Sequence, residues 1–315
     1  MTDLVFCGTP LFAVPTLEKL VCAGFHVKLV ATQPDRPSGR GMEVTPSPVK
    51  QSALALGVPI IQPEKIRNND EFRVLLEKIA PEAIVVVGYG RIIPQWMIDL
   101  PQLGNINLHA SLLPKYRGAA PIQWAIARGE TVTGVTTMRI DAGLDTGDIL
   151  LQAEERIKTD DTALTLAPRL AQTGAELVIA TLAGLKSATI TPCPQDHAQA
   201  TLAPILTRDD GLIDFSRTAV DTWNRLRGFQ PWPGAFTHFR GKTLHLHDAV
   251  PAPGVAGVAP GHFRLEDGRL LLSFVHATAL EVRELQPEGK KRMSARDFVN
   301  GYRPSAEEEL GATGV

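Results

Sequence analysis

The sequence predicts an α/β protein with two domains: a Rossmann-like domain built on a mostly parallel sheet, followed by a smaller domain with an OB-like β-barrel. Two patterns lead to this prediction. Up to about residue 185, apolar runs rich in β-branched residues alternate with helical patterns, which is typical of a parallel sheet covered by helices on both faces. Farther along, short alternating runs follow one another closely, which is typical of a small barrel. A length of 315 residues is enough for two such domains.

Strands and helices alternate regularly in the first domain. The predicted strands are Leu4–Cys7, Val27–Ala31, Val58–Ile61, Ala83–Val87 and Ile106–Leu108. One helical pattern covers Phe12–Cys22, and a second begins with Ser47 as N-cap and Pro48 at the first helical position. A third helix begins at Asn69 or Asp70. Ligands of such sheets bind at the carboxyl ends of the strands, so we expect the functional site there.

A long helical pattern from about Asp161 to Leu185 closes the first domain. Because proline lacks a backbone N–H and its ring clashes with the preceding turn, Pro168 predicts a kink or a break into two helices. The residues that follow are rich in proline and polar side chains, which indicates an interdomain linker. We therefore assign residues 1–188 to the first domain, 189–207 to the linker and 208–315 to the second domain.

The second domain begins with an amphipathic helical pattern over Ser216–Arg227. Five short strands are predicted after it: Ala235–Arg240, Thr243–His247, Gly257–Arg264, Leu270–Val275 and Ala279–Leu285. Gly241-Lys242 and Asp267-Gly268 are typical hairpin turns between them. Ser294 is the expected N-cap of a final helix, and we expect the acidic tail around Glu307–Glu309 to be frayed.

The composition argues against several classes of protein. Hydrophobic residues make up 44% of the chain and charged residues 21%, as in ordinary globular domains. No apolar run approaches the roughly 20 residues needed to cross a bilayer, and no basic leader is visible, so we expect a soluble, cytoplasmic protein. The three cysteines indicate neither a disulfide framework nor a zinc site. With a net charge of −2, nucleic acid could be bound only through local basic patches.

Polar side chains with catalytic potential lie at the end of the strand Ile106–Leu108 and in a later loop between two strands. Asn107 and His109 are two residues apart, so the period of a strand places both on one face. An amide donor beside an imidazole can stabilise an oxyanion and move a proton, although a histidine that merely ends a strand would look the same. The later segment Asp141–Asp148 contains two glycines and three aspartates and cannot pack a core. It is either a solvated turn or a loop that delivers a carboxylate to His109.

The order of these motifs resembles a known enzyme family. Asn107-x-His109, Ser111-Leu112-Leu113-Pro114 and Leu144-Asp145-Thr146-Gly147 occur in the order and approximate spacing of the 10-formyltetrahydrofolate-dependent formyltransferases. From about residue 4 to residue 300, further segments are similar to the members that act on methionyl-tRNA, namely Gly8-Thr9-Pro10-x-Phe12, Gln33 to Gly41, Pro46 to Lys50, Arg117 to Gln123, Ile213 to Ser216, Pro231-Trp232-Pro233 and Gly289-Lys290-Lys291-x-Met293.

The resemblance implies a reaction and three catalytic residues. The formyl group of 10-formyltetrahydrofolate, the co-substrate, would pass to the amino group of methionine on initiator methionyl-tRNA, with no metal and in a protein we expect to be monomeric. Asn107 would donate a hydrogen bond to the formyl oxygen. His109 would polarise that oxygen or assist proton movement. Asp145 would orient His109 and, through water, help to remove the proton of the attacking amine.

The resemblance also implies two sets of binding residues. Those expected to bind the folate are Gly88, Tyr89, Gly90, Ile92, Ser111, Leu112, Leu113, Pro114, Asp141 and Leu144. Those expected to contact tRNA are Arg36, Arg40, Lys290, Lys291 and Arg292. Two positions depart from the family pattern, because Glu43 lies where relatives often carry a basic pair and Ile205 where they often carry lysine. Both weaken the electrostatic case for tRNA contact at those points.

Several alternatives remain open at this stage. Gly88-Tyr89-Gly90 half-matches a dinucleotide fingerprint, but the third glycine is missing and the strand before it is not the first, so we reject NAD binding. The same formyl transfer could serve a small amine, such as glycinamide ribonucleotide or an amino sugar. An OB-type RNA-binding protein with a vestigial catalytic domain is a third possibility, disfavoured by the presence of all three catalytic residues. We interpret His245 and His247 as solvated strand residues rather than metal ligands.

Overall fold

The structure is a computed structural model and describes residues 2–38, 43–254 and 257–311. The chain forms two compact units. The first comprises Met1–Pro121, Val132–Arg156 and Ala167–Pro204, and the second comprises Ile122–Thr131, Ile157–Leu166 and Ile205–Val315. Two short segments that precede residue 188 thus belong to the second unit. The predicted domain ranges 1–188 and 208–315 stay a prediction.

Strands and helices are numbered in chain order over the described residues. The strands are β1 (Asp3–Gly8), β2 (His26–Ala31), β3 (Arg36–Ser38), β4 (Glu43–Thr45), β5 (Ile60–Ile61), β6 (Ala83–Val87), β7 (Asn105–His109), β8 (Val132–Arg139), β9 (Ile149–Arg156), β10 (Ala235–Phe239), β11 (Lys242–Ala252), β12 (Phe263–Glu266), β13 (Arg269–Phe274), β14 (Thr278–Pro287) and β15 (Met293–Ser294). The α-helices are α1 (Val14–Cys22), α2 (Pro48–Ala55), α3 (Asp70–Ile79), α4 (Gln95–Ile98), α5 (Pro121–Ala127), α6 (Ala163–Lys186), α7 (Ala219–Gly228) and α8 (Ala295–Tyr302).

The first unit is built on a seven-stranded sheet in the order β5-β2-β1-β6-β7-β8-β9. Strands β5, β2, β1, β6 and β7 are parallel, whereas β8 and β9 are antiparallel to their neighbours. The prediction of a mostly parallel sheet is therefore confirmed. Every residue of β6 is buried, as expected for a central parallel strand with both faces covered. The carboxyl ends of β1, β6 and β7 lie at the same edge of this sheet.

Two helices of the first unit begin at the capping residues that the sequence indicates. The Ser47 hydroxyl accepts a hydrogen bond from the backbone N–H of Lys50, and Pro48 occupies the first turn of α2. The Asn69 side chain accepts one from the backbone N–H of Phe72, so Asn69 rather than Asp70 is the cap of α3. Each cap satisfies a backbone donor that has no partner within the helix.

The predicted break at Pro168 is wrong, because α6 is a single helix of 24 residues. Pro168 lies near the start of α6 and is exposed, so its ring does not enter the core. The helix buries Leu170, Ala175 and Val178 completely. Burial of this apolar face outweighs the loss of one backbone hydrogen bond near the first turn.

The second unit is an antiparallel sheet in the order β10-β11-β14-β13-β12, with β15 paired to β14. The five predicted strands correspond to β10–β14, which confirms the antiparallel β character of this part. Its core contains Phe239, Phe263 and Phe298, whose ring centroids lie 5.4–6.2 Å apart. Ser294 caps α8 as predicted, whereas α7 begins after Thr218, which forms a reciprocal capping box with Asp221.

The expectation of a frayed acidic tail is wrong for the described residues up to Gly311. Leu310 is 2% exposed, and its backbone N–H donates to the carbonyl of Gly261 before β12. The next N–H, of Gly311, donates to the carbonyl of His238 on β10. Glu308 accepts from the Arg240 guanidinium, with 3.0 Å between Nη2 and Oε2. The tail thus connects the two end strands of the antiparallel sheet.

Candidate active site

Asn107 and His109 lie at the carboxyl end of β7 and on the same face of the sheet, as the strand period predicts. Asn107 is paired with Val86 of β6 and with Met138 of β8, and His109 is paired with Thr136 of β8. The Asn107 side chain is partly exposed and has no hydrogen-bond partner among the described residues. Its amide is therefore free to bind a ligand at this edge.

A backbone carbonyl orients the His109 imidazole. The ring is almost fully buried, and Nε2 lies 2.8 Å from the carbonyl oxygen of Tyr116. A carbonyl can only accept, so Nε2 carries a proton and donates it in this hydrogen bond. Nδ1 is then the nitrogen that can gain or lose a proton. Tyr116 has φ +62°, which is uncommon for a residue with a side chain and turns its carbonyl toward the ring.

Asp145 lies beside His109, at the tip of the loop that joins β8 to β9. Its Oδ2 is 3.7 Å from Nδ1 of His109 and accepts a hydrogen bond of 2.8 Å from the backbone N–H of Gly118. Asp145 has φ +52°. Such left-handed residues cost about 1–3 kcal/mol and persist where the surroundings hold them, which is common at functional sites. The structure thus brings together the three residues predicted to be catalytic.

The predicted folate segment Ser111–Pro114 is held to the sheet by Thr136. The Thr136 hydroxyl donates to the carbonyl of Ser111 at 2.6 Å and accepts from the backbone N–H of Leu113 at 3.1 Å. Ser111 and Leu113 are buried, whereas Leu112 and Pro114 are partly exposed. The buried side chains of Ser111 and Leu113 shape this loop. A ligand could contact the backbone and the partly exposed side chains of Leu112 and Pro114.

The predicted folate loop after β6 presents one very exposed apolar side chain. Gly88 and Gly90 have φ +55° and +71°, a region that favours glycine. The Tyr89 side chain points into the core, where burial raises the pKa of its hydroxyl, while its carbonyl accepts from the Gln33 side chain at 2.9 Å. Ile92 is 90% exposed. An exposed isoleucine beside the backbone of a glycine-rich loop suits an aromatic ligand that is apolar on its faces and polar at its edge.

Hydrogen bonds to the Asp141 carboxylate stabilise the same loop between β8 and β9 that carries Asp145. The Asp141 carboxylate accepts from the Thr146 hydroxyl at 2.7 Å and from the backbone N–H of Gly143 at 3.0 Å. Leu144, at the tip, is 63% exposed. Ile92 and Leu144 are therefore the most exposed apolar side chains among the predicted folate residues. The Asp141 carboxylate stabilises the loop through its internal hydrogen bonds.

The residues predicted to contact tRNA differ in whether an acidic side chain pairs with them. Lys290 and Lys291 are exposed and form no ion pair within the described residues, whereas Arg292 pairs with Glu284. Arg36 is exposed on the short strand β3, beside Asp35. Hydrogen bonds from Lys50 and Gln62 hold the pKa of the Asp35 carboxyl below its usual value. Arg40 lies outside the described residues.

The described part of the chain contains no group of three or more His, Cys, Asp or Glu residues that could hold a metal ion. His247 donates from Nε2 to the Gln286 side chain at 2.9 Å, and His245 packs against Phe236, so neither is simply solvated as the sequence suggested. No helix there is long and apolar enough to cross a membrane.

Comparison with known families accounts for both parts of the chain. Residues 3–182 match the family described as formyl transferase, and residues 205–303 match its C-terminal domain. The chain belongs to the formyl transferase family. The resemblance suggested by the sequence motifs is therefore confirmed.

Three relatives align with this formyl transferase over nearly its whole length. It is 66% identical over 98% of each chain to a protein named methionyl-tRNA formyltransferase from Koribacter versatilis. It is 63% identical to the protein of the same name from Acidobacterium capsulatum, over 98% of this chain and 99% of that one. A third, from Solibacter usitatus, is 54% identical over 98% of each.

Solved structures share the fold of this formyl transferase at low sequence identity. The N-formyltransferase from Helicobacter canadensis, solved with folinic acid and dTDP-3-aminofucose, has a TM-score of 0.67 and 20% identity over 91% of this chain and 100% of that one. HypX from Aquifex aeolicus, solved with tetrahydrofolic acid, has a TM-score of 0.62 and 16% identity over 96% of this chain and 47% of that one. These likenesses concern the fold alone.

Sequence reasoning missed several residues that shape the site of this formyl transferase. The Tyr116 carbonyl carries no signal in the sequence, since every residue has one. Thr136 could have been found only from the pairing of β8 with β7. Gln195 lies in the segment interpreted as a linker, yet it is 6% exposed and hydrogen-bonded to the Asp145 loop. Its neighbourhood of prolines and polar residues pointed away from a buried role.

Proposed function

We propose that this protein transfers the formyl group of 10-formyltetrahydrofolate to the α-amino group of methionine on initiator methionyl-tRNA, giving formylmethionyl-tRNA for translation initiation. The observation that carries the proposal is the 66% identity, over 98% of both chains, to a relative of that name. Asn107, His109 and Asp145 at one edge of the sheet supply groups that suit this chemistry.

The reaction needs a donor for a developing oxyanion. When the methionine amine attacks the formyl carbon, negative charge builds on the formyl oxygen as the tetrahedral intermediate forms. The unpartnered Asn107 amide at the end of β7 has N–H groups available to donate to that oxygen. One such donor typically contributes about 3–4 kcal/mol to transition-state stabilisation. The nitrogen of the folate already activates the formyl group, so the proposed step includes no metal.

The attacking amine must also lose a proton. With Nε2–H engaged by the Tyr116 carbonyl, neutral His109 has a lone pair on Nδ1 that can accept this proton, directly or through water. The Asp145 carboxylate, 3.7 Å from Nδ1, would stabilise the imidazolium that results. The same proton can then pass to the departing folate nitrogen. In this proposal, the Tyr116 carbonyl orients the ring and Asp145 supplies the compensating charge.

The folate would lie at the same edge, against the exposed side chains of Ile92 and Leu144. Backbone groups of Gly88, Tyr89 and Gly90 would hydrogen-bond the polar edge of the pterin. Asp141, together with Ser111–Pro114, would shape the remaining wall. Ile92 and Leu144 are 90% and 63% exposed, so both side chains are accessible to an apolar ligand face.

The tRNA would be held by separate basic elements. Lys290 and Lys291 offer free charges for phosphates on the second unit. Arg36 and Arg40 would contact the acceptor stem, with more of the burden on Arg40 because Glu43 makes this loop less basic. Arg292 contributes less, since Glu284 already neutralises it. We further propose that the protein acts in the cytoplasm as a monomer.

A panel of acceptors tests the proposal. The protein would be incubated with 10-formyltetrahydrofolate and, in parallel, with initiator methionyl-tRNA, elongator methionyl-tRNA, free methionine, glycinamide ribonucleotide and a nucleotide-linked amino sugar. We expect formylation of initiator methionyl-tRNA to be the fastest by orders of magnitude. Arg40→Ala should reduce the ratio of the formylation efficiency of initiator methionyl-tRNA to that of elongator methionyl-tRNA. Preference for either small amine over methionyl-tRNA would refute the proposed acceptor while leaving formyl transfer in place.

A further inference from the structure

We infer that Gln195 is a positioning residue for the loop that carries Asp145. Its side-chain amide, held in place by the buried Arg117 guanidinium, fixes the backbone that presents the Asp145 carboxylate to His109. This inference rests on the proposed function, because it concerns the contribution of Asp145 to formyl transfer. It assigns a role in the reaction to a segment that the sequence alone presents as a linker.

Every hydrogen-bonding position of the Gln195 amide is used. Nε2 donates to the carbonyl of Asp145 at 2.9 Å and to the carbonyl of Gly147 at 2.7 Å. Oε1 accepts from Nε and Nη2 of Arg117 at 3.1 and 2.6 Å. A primary amide has two donor hydrogens and two acceptor lone pairs, so nothing in this side chain is left over. Gln195 is buried, whereas the residues on both sides of it are exposed.

The loop that Gln195 holds needs external support. Asp145 has φ +52°, and a Cβ at Gly147 would lie 2.0 Å from the carbonyl oxygen of Arg139, so the chain takes a narrow and strained path there. Hydrogen bonds to the carbonyls of Asp145 and Gly147 fix the Asp145–Thr146 and Gly147–Asp148 peptide planes. The Asp145 side chain is fixed separately, by the backbone N–H of Gly118.

Arg117 is a rigid support for the Gln195 amide. It is 7% exposed and has no ion pair within the described residues. Its backbone N–H donates to the carbonyl of Thr201 at 2.8 Å, and its carbonyl accepts from Ala203 at 2.7 Å. The planar guanidinium directs two N–H groups at the same Gln195 oxygen and also lies 3.1 Å from Nδ1 of His197.

The same short stretch of chain holds both His109 and Asp145. Tyr116 supplies the carbonyl that orients His109, Arg117 holds Gln195, and Gly118 supplies the N–H that binds Asp145. Gln195 therefore ties the Asp145 loop to the segment that already sets the His109 ring. Without this link the carboxylate could shift relative to the imidazole, and a displacement of about 1 Å can lower turnover about 100-fold.

Two substitutions separate positioning from support of the fold. Gln195→Glu keeps the oxygen that Arg117 binds and adds an attractive charge, but it places a carboxylate oxygen against the carbonyls of Asp145 and Gly147. Gln195→Ala removes both halves of the link. The matched controls are Gln199→Glu and Gln199→Ala, because Gln199 lies in the same segment, is exposed and donates to Asp196.

The measurements are kcat and KM for initiator methionyl-tRNA and for 10-formyltetrahydrofolate, with melting temperatures, on the full-length protein. We expect Gln195→Glu to melt close to wild type and to lose about 10- to 100-fold in kcat, with both KM values within about threefold of wild type. Gln195→Ala should lose at least as much kcat per folded molecule. Both Gln199 variants should keep wild-type kcat.

Three results for Gln195→Glu would overturn the inference. The variant could keep wild-type kcat, or its loss of activity could appear only in KM. It could also fail to fold, which would assign the amide a purely structural role. If Gln195→Ala alone fails to fold, Gln195→Glu decides. A wild-type protein that formylates no acceptor would refute the proposed function and this inference with it. An active wild type with an unaffected Gln195→Glu variant would refute the inference alone.

Discussion

At the end of β7, Asn107 and His109 share a face of the sheet but differ in their partners. The Asn107 amide is free, while the His109 ring is fixed through Nε2 by the Tyr116 carbonyl. A free amide can follow the substrate oxygen as charge develops. A fixed imidazole with its second nitrogen open can exchange a proton at one defined place.

Removing either side chain should therefore lower turnover without unfolding the protein. We expect Asn107→Ala and His109→Ala each to lower kcat for methionyl-tRNA formylation by about 100- to 1,000-fold, as the loss of an oxyanion donor or general base typically does. Asn105→Ala is the matched contrast, because the Asn105 amide donates to the carbonyls of Met97 and Ile98. It should lower the melting temperature instead. Near-normal kcat in either catalytic variant would remove that residue from the mechanism.

The sequence predicted these residues only in part. The strand period places Asn107 and His109 on one face, and family motifs point to Asp145. The hydrogen bond that orients His109 could not be predicted, because its acceptor is a backbone carbonyl that depends on the left-handed conformation of Tyr116. Gln195 escaped for a different reason: its burial depends on contacts with residues about 50 and 78 positions away in the chain.

Among the elements, the loop that follows β7 depends on one glycine. Gly118 has φ +120°, and a Cβ there would lie 2.6 Å from the carbonyl oxygen of Ala203. We expect Gly118→Ala to destabilise the protein by about 1–3 kcal/mol and to lower kcat, because the Gly118 N–H also holds Asp145. Chemical denaturation and steady-state kinetics would measure both effects.

Gly301→Ala is the control for this substitution. Gly301 lies in α8, and a Cβ there would meet nothing within 4 Å. Alanine should therefore be neutral or stabilising at Gly301, by up to about 1 kcal/mol. Equal stability of the two variants would show that the loop after β7 tolerates a side chain and would contradict the predicted strain.

A second element, strand β11, should make stability depend on pH. Burial lowers the pKa of His245 below its usual value, and the neighbouring His247 and Arg208 lower it further. Below about pH 6.5 the unfolded chain then binds more protons than the folded one, so the free energy of unfolding falls as the pH falls. We expect His245→Gln to lose less stability than wild type between about pH 7.5 and 5.5. Denaturation curves at each pH would measure the free energy of unfolding of both proteins. Equal losses in wild type and His245→Gln would contradict this prediction.

Local elements were the easiest to predict. Ser47, Asn69 and Ser294 act as helix caps because their signals and partners lie within three residues. A break at Pro168 was wrongly expected, because the buried face of α6, a tertiary feature, outweighs a local cost. The tail was misjudged similarly, since the partners of Leu310 and Gly311 lie about 50 and 73 residues earlier in the chain.

At the scale of the whole molecule, long-range contacts decide which segments belong together. Residues 122–131 and 157–166 belong to the second unit. There Trp124 packs edge-on against Phe229 at 5.1 Å, and the Arg227 guanidinium donates to the carbonyl of Asp161 at 2.7 Å. Alternation of strands and helices along the sequence carries no information about such contacts, so one boundary near residue 188 was the natural expectation.

The net charge of −2 makes tRNA binding depend on a few free cations. We expect replacement of Lys290 and Lys291 with alanine to weaken tRNA binding and to reduce the slope of log K against log salt by about 0.7–0.9 for each phosphate that the variant no longer neutralises. Lys65 and Lys78, exposed lysines of the first unit, are the control pair. A slope that changes equally for both pairs would exclude a specific role for the 290–291 turn. Filter binding at several salt concentrations would measure it.

The most direct test of formyl transfer to methionyl-tRNA is identification of the product. Purified protein, 10-formyltetrahydrofolate and initiator methionyl-tRNA would be mixed, the aminoacyl group released from the tRNA and its mass determined, with Asn107→Ala measured in parallel. The account predicts that the wild type formylates the methionine on the tRNA within a single turnover, so that the released group has the mass of formylmethionine, and that the variant does so far more slowly. Methionine that stays unmodified in the presence of folded wild-type protein would contradict it.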